Sequence, residues 1–275
     1  MIGVGTRALF MAGKVILGLV YLLPLIWIVI TSLKSNAQIL QNPNALSFHP
    51  SFDTYRSVIG SGLGAIVTSL QIGVIVTAAV LLIGVPAAFA LARRITTFWA
   101  RVIAVVLAAL LVLQMVPQPM TVIPLYSVLA SWGILGTLQG LILADIALLL
   151  PFAIMLLRPF VLSIPVTLYE AAEVDGASRF QSFRSIALPM LSNGIFTVMS
   201  VIFISAWGEF VYAINFLPEG TVLPVSGLLA QQNTTYAANW NSLMALAVLT
   251  SLPLLVVFLF TQKRLINGLS LGAVK

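Results

Sequence analysis

The sequence predicts an all-α integral membrane protein, with six transmembrane helices, both chain ends in the cytoplasm and a cytoplasmic helix-turn-helix between the fourth and fifth spans. Three observations predict it. Charged residues make up 7% of the 275 residues, against about 25% in soluble domains. With 60% hydrophobic residues and a mean hydropathy of +1.11, a soluble fold would have almost nothing polar to present to water. Six apolar stretches approach the roughly 20 residues that cross a bilayer. Finally, the basic residues sort to one face of the membrane when the spans number six.

The spans are read, in order, at about 9–33, 66–91, 102–129, 138–157, 195–216 and 243–260, all within one transmembrane domain covering 1–275. Arg7 and Lys14 precede the apolar run from Val15 to Leu33, a pattern shared with secretory leaders. No small-residue cleavage pattern follows directly, so the run is read as a first span. The third stretch contains Pro117, Pro119 and Pro124; proline removes a helix donor, so one kinked span is expected there, with two separate pieces as the alternative.

With the N-terminus inside, the cytoplasmic segments hold Arg7, Lys14, Arg93, Arg94, Arg101, Arg158, Arg179, Arg184, Lys263, Arg264 and Lys275, eleven of the thirteen basic residues. Only Lys34 and Arg56 fall outside. The net charge of +6 therefore serves topology and need not imply nucleic acid. The outer face consists of a loop from about Lys34 to Gly64, a turn near Ser131–Thr137, and a loop from Leu217 to Ser242. That last loop carries Gln231-Gln232-Asn233-Thr234-Thr235 and an interfacial Trp240. It reads either as a plain connection or, given its length, as a functional loop.

Inside, residues 158–193 form the one sizeable loop, and it is charge-rich: three of the seven acidic residues, Glu170, Glu173 and Asp175, lie there with Arg179 and Arg184. Pro165 suits a first helical turn, Glu170-Ala171-Ala172-Glu173 favour helix, and Gly176 offers the freedom a helix end needs. Ser178 and Gln181 match a capping box for a second helix, which Pro189 cannot continue. Phe180, Phe183 and Ala187 are spaced to share a face. That face is expected to dock a partner or to lie flat on the membrane interface.

Several chemistries are missing. There is no cysteine, no GxxxxGK[ST] phosphate loop, no GxSxG and no HExxH. The sole histidine, His49, has no further ligands nearby in sequence. A non-catalytic chain without metal or cofactor of its own is expected.

Two carboxylates fall within spans, where ionisable groups are candidate functional residues. Asp145 lies about 10 Å below the outer edge of its span at 1.5 Å per residue, and Glu209 about 9 Å below, for a core near 30 Å. Trp207, Tyr212 and Asn215 flank Glu209, an amphipathic set suited to a polar, uncharged ligand. Asp145, Trp207, Glu209, Tyr212 and Asn215 are thus candidates for a substrate pathway. The alternative is a group of buried hydrogen-bonding residues without ligand contact. Proton coupling through Asp145 and Glu209 would make the chain a secondary transporter.

Glu170-Ala171-Ala172, Gly176 four residues on, then Ile186 and Leu188-Pro189 resemble the coupling motif of bacterial ABC-importer permeases. Pro124-Leu125-Tyr126, Pro151-Phe152-Ala153-Ile154, Asp175-Gly176-Ala177-Ser178 and Gly268-Leu269-Ser270-Leu271-Gly272-Ala273-Val274-Lys275 are similar to the second permease subunit of the maltose-type, carbohydrate-uptake branch. The resemblance covers nearly the whole chain. It implies a permease subunit for a sugar or related solute, with glycerol-phosphate or a phosphodiester as the alternative cargo. It implies that Glu170, Ala171, Ala172, Asp175, Gly176, Phe180, Phe183, Ile186, Leu188 and Pro189 meet a dimeric cytoplasmic ATPase, which holds the ATP and magnesium. It implies three further partners: a second, non-identical permease, an extracytoplasmic substrate-binding protein near the 217–242 loop, and the lipid bilayer of a bacterial inner membrane. The tail near Gly272–Lys275 would also reach the ATPases.

Overall fold

The structure is a computed structural model; it describes residues 4–92, 96–218, 223–232 and 239–273, with side chains between residues 10 and 262. Arg93, Arg94 and Lys275, the end of the C-terminal motif, and residues 233–235 of the polar outer run lie outside the described residues. So do the side chains of Arg7, Lys263 and Arg264. Among the described residues all regular structure is helical: α1 Val4–Ser32, α2 Asn36–Gln41, α3 Asp53–Ala92, α4 Thr97–Met115, α5 Gln118–Ser131, α6 Leu138–Leu162 and α7 Val166–Val174. There follow α8 Arg179–Ser182, a π-helical turn Phe183–Ala187, α9 Leu188–Met190, α10 Ser192–Trp207, α11 Val211–Phe216, α12 Val225–Gln231 and α13 Trp240–Ala273. Five helices are long and apolar enough to cross a membrane: α1 over Phe10–Ser32, α3, α4, α6, and α13 over Trp240–Gln262. A sixth arises if Arg179–Met190 and α10, which meet at 72°, count as one bent span.

Two compact units divide the chain, Met1–Gly64 with Leu228–Leu252, and Ala65–Gly227 with Pro253–Lys275. The first is held by a small apolar cluster of Val58, Ala245 and Leu246, with Tyr55, Leu228, Leu229 and Leu249 packed around it. Ser32 and Tyr55 hydroxyls are 2.6 Å apart, and Asn241 Nδ2 donates to Thr54 Oγ1 at 3.0 Å. The second unit holds the main core: Ile72, Val76 and Val80 of α3 meet Leu141, Ala153 and Leu157 of α6, Val198 and Ile202 of α10, and Tyr212 and Phe216 of α11. Its helices approach closely where side chains are small: a Cβ on Gly194 would lie 2.6 Å from Cγ of Phe160.

Several elements differ from the sequence reading. The expected kinked third span is two helices, α4 and α5, because Val116 and Pro117 are both extended (ψ 119° and 130°). A residue before proline avoids the α region, and Pro117 donates no hydrogen bond, so the helix restarts after it. The stretch expected as one fifth span breaks at Gly208–Phe210 into α10 and α11. The second span's helix begins at Asp53 rather than near 66, where Ser51 Oγ accepts from Asp53 N at 3.2 Å. The 217–242 loop contains a helix, α12, whose Val225 N donates to Ser69 Oγ at 2.9 Å.

Candidate functional site

The helix-turn-helix of residues 158–193 is assembled by local chemistry. After α7, Asp175 ends the helix and Gly176 takes the left-handed conformation, φ +77°. Ala177 N then donates to Ala172 O at 2.8 Å, and Gly176 N to Glu173 O at 3.1 Å. These are the two backbone bonds of a Schellman C-cap, satisfying carbonyls the helix end would leave open. Ser178 then begins α8 with a full capping box: its Oγ accepts from Gln181 N at 3.3 Å, and its N–H donates to Gln181 Oε1 at 2.7 Å.

The aromatic residues do not share one exposed face. Phe180 is 69% exposed, whereas Phe183 packs on Phe89 with ring centroids 5.1 Å apart, and Ala187 is fully buried. The reason is geometric. The π turn from Phe183 to Ala187 rotates the register, and the Phe89 and Tyr169 rings (6.0 Å apart) offer Phe183 a core site. Pro189 does not stop the helix at once, because it sits at the first turn of α9, where its missing N–H is tolerated. The bend falls two residues later at Leu191.

What stays outside is a compact mixed surface. Glu170, Ala171, Asp175, Gly176 and Pro189 are exposed, Leu188 is partly so, and Ala172 and Ile186 are half-buried. Val166, Val174 (88% exposed) and Phe180 add apolar side chains beside the acidic ones. The composition left Val166 and Val174 unremarked, although apolar residues on a helix already placed outside the bilayer were the available signal.

The second candidate lies at the two helix breaks. Glu209 Oε1 accepts from Tyr212 N at 2.7 Å and from Gln118 Nε2 at 2.8 Å, and Oε2 accepts from Ala213 N at 3.0 Å. Ser226 Oγ donates to the Glu209 carbonyl. The carboxylate thus caps α11, whose first amides would otherwise lack acceptors. It also ties the break before α11 to the break before α5. Thr121 and Tyr212 hydroxyls join the same two helices. Asp145 and Trp207 are buried, as is Tyr212; Glu209 is half-buried, and Asn215 is exposed with its amide donating to Val211 O at 2.7 Å. Asp145 therefore does not face water from within this chain. Both its oxygens lack a hydrogen-bond partner among the described residues. Gln118, Thr121 and Ser226 were missed from sequence; polar residues close to Pro117 and Pro119 were the signal for the first two, while Ser226 lies in the 217–242 loop and was read without a role of its own.

A polytopic helical core fits a membrane-embedded permease, and known proteins assign the class. The trehalose transport system permease protein SugB of Mycobacterium tuberculosis is 32% identical over 260 residues, covering 92% of each chain. The diacetylchitobiose uptake system permease protein DasC of Streptomyces coelicolor is 32% identical over 265 residues, covering 94% of this chain and 93% of its own. A bacterial ABC transporter involved in the import of the acidic polysaccharide alginate has the same fold, with a TM-score of 0.77 at 21% identity, covering 96% of this chain and 98% of that one. Residues 81–270 match the model of the binding-protein-dependent transport system inner membrane component. The chain belongs to that family, and it is an ABC-importer permease subunit.

Proposed function

We propose that this permease forms half of the translocation pathway for a sugar or a closely related hydroxylated solute, in company with a second, non-identical permease. Identity above 30% along more than nine-tenths of the chain to permeases named for trehalose and diacetylchitobiose carries this reading. In it, the Val166, Val174 and Phe180 side chains seat in a groove of a dimeric cytoplasmic ATPase, and Glu170, Glu173 and Asp175 supply charge complementarity around them. ATP and magnesium are held by that ATPase, so energy enters this chain only as motion of α7 and α8. Both chain ends are cytoplasmic, as the basic residues favour. An extracytoplasmic binding protein delivers solute near residues 217–242, and the C-terminal tail reaches the ATPases.

In the pathway the half-buried Glu209 and exposed Asn215 are the side chains with access to solute, while Asp145, Trp207 and Tyr212 support them from the core. Glu209 is committed to three donors within the chain, which suits it to hold the pathway's shape. The family assignment favours ATP over a proton gradient as the energy source. Proteoliposomes containing both permeases, the ATPase and the binding protein test this. Uptake of labelled disaccharide driven by ATP, with the proton gradient collapsed by an ionophore, is expected; uptake that vanishes with the gradient overturns it.

A further inference from the structure

Just beyond the end of α1, Lys34 is 1% exposed. Its Nζ donates to Pro43 O at 2.8 Å and lies 5.4 Å from the ring centroids of both Trp27 and Phe48. No carboxylate lies within 4 Å of it among the described residues, where the ion pair present joins Arg56 to Asp53. An ammonium group has three donors, and one of them is used among the described residues. A cation removed from water without an anion is a costly arrangement, which ring faces offset only in part.

Lys34 forms part of the lining of a cavity of about 300 Å³, whose other walls are Gln38, Gln41, Asn42, Ala45, Ser47, Phe48 and His49. No acidic residue occurs between Lys34 and Phe52. The lining therefore offers one fixed positive charge, several amides, a hydroxyl and an imidazole, with nothing to repel an anion. Its volume sits at the bottom of the range of roughly 300–1,000 Å³ for small-molecule pockets, so it admits a head group rather than an oligosaccharide. Its level is also defined. Ser32 closes the apolar stretch of α1, and Lys34 N donates to Thr31 O at 3.1 Å in the turn that follows. Basic and aromatic side chains at the end of a span stand among lipid head groups.

From this we infer that the cavity beside Lys34 binds a phosphate group, supplied by the head group of an anionic phospholipid such as phosphatidylglycerol. Lys34 provides the charge from beneath, and Gln41, Asn42 and Ser47 at the rim hydrogen-bond the phosphate and glycerol oxygens. The site is separate from the helix-turn-helix surface and does not rest on the solute proposed above.

The test uses the full-length chain in nanodiscs of equal phosphatidylglycerol and phosphatidylcholine, with retained lipid counted by native mass spectrometry, and in detergent with inorganic phosphate. One lysine near a membrane surface is worth about fivefold in anionic-lipid preference. At least that preference is expected for the wild type, retained in Lys34→Arg and lost in Lys34→Gln. Because Lys34→Gln also removes the Pro43 contact and can unfold the loop, the doubly substituted Gln41→Ala, Ser47→Ala chain provides a second reading that leaves Lys34 in place; it too should lose selectivity. Thermal stabilisation by inorganic phosphate, abolished by the rim substitutions and without lipid preference, supports the phosphate site but assigns its source to solution. Equal retention of both lipids with no response to phosphate overturns the inference, as does selectivity unchanged by the rim substitutions.

Discussion

Gly176 offers a clean test of the helix-turn-helix, because the cost of replacing it is backbone alone. A Cβ there would meet nothing within 4 Å, so no clash arises within this chain. Its φ of +77° is the left-handed region, which costs a residue with a Cβ roughly 1–2 kcal/mol. Reduced unfolded-state entropy returns about 0.4–1 kcal/mol of that. The net for Gly176→Ala is then about 1 kcal/mol, or roughly a fivefold drop in the population of the capped turn. Asparagine tolerates this region better, so Gly176→Asn should lie between glycine and alanine. Gly176→Leu carries the same backbone cost and adds bulk on the surface proposed to meet the ATPase. Amide hydrogen exchange at Gly176 and Ala177 reads the turn, and ATP-driven uptake with ATPase co-purification reads the coupling. Exchange should quicken in the order Gly, Asn, Ala. Uptake and co-purification should fall furthest in Leu while membrane insertion persists. Full uptake by Gly176→Leu would refute the coupling role; equal exchange rates in Asn and Ala would refute the backbone account.

Three further substitutions probe the second unit. Glu209→Ala strips acceptors from Tyr212 N, Ala213 N and Gln118 Nε2, at roughly 1–3 kcal/mol per buried donor left open. Both thermal stability in detergent and uptake should drop, with Glu209→Gln recovering part of each; unchanged uptake in Glu209→Ala would remove the residue from the pathway. Gly194→Ala places a Cβ 2.6 Å from Cγ and 2.9 Å from Cβ of Phe160, atoms too near the backbone to swing aside. A loss of about 1–3 kcal/mol is expected, visible as a lower unfolding temperature. Tyr212→Phe should cost little, about 1 kcal/mol or less, since Thr121 Oγ1 keeps its bond to Gln118 O at 2.7 Å; a large loss of stability would contradict that.

Local signals in the sequence were reliable where one residue type has one physical consequence. Gly176 marks a left-handed turn and Ser178 with Gln181 a helix start, and both are realised in the structure. The same logic was available at Ser35 and Gln38, whose capping box opens α2, but that helix went unread among loop residues. Breaks were legible only by proline: Pro117 pointed to the α4–α5 discontinuity. Gly208–Phe210 has no such marker, and its break is sustained by Glu209 reaching the amides of α11. The π turn at Phe183–Ala187 was beyond reach, since it answers to Phe89, almost a hundred residues earlier. Burial of Lys34 likewise depends on two rings and a carbonyl brought together only by the fold.

The 72° elbow at Leu191 makes the segment a bell crank. Its short arm, Arg179–Met190, carries the exposed Phe180. Its long arm is α10, sixteen residues that end beside Glu209, and at 1.5 Å per residue it is about 24 Å long. A swing of about 5° about the elbow would therefore carry the far end through roughly 2 Å. That is several times the slack of about 0.5 Å that a hydrogen bond tolerates before it breaks, so a small push on the short arm can make or undo the Glu209 contacts. The Gln118 and Thr121 ties mean that the α5 break would register the stroke at the same moment.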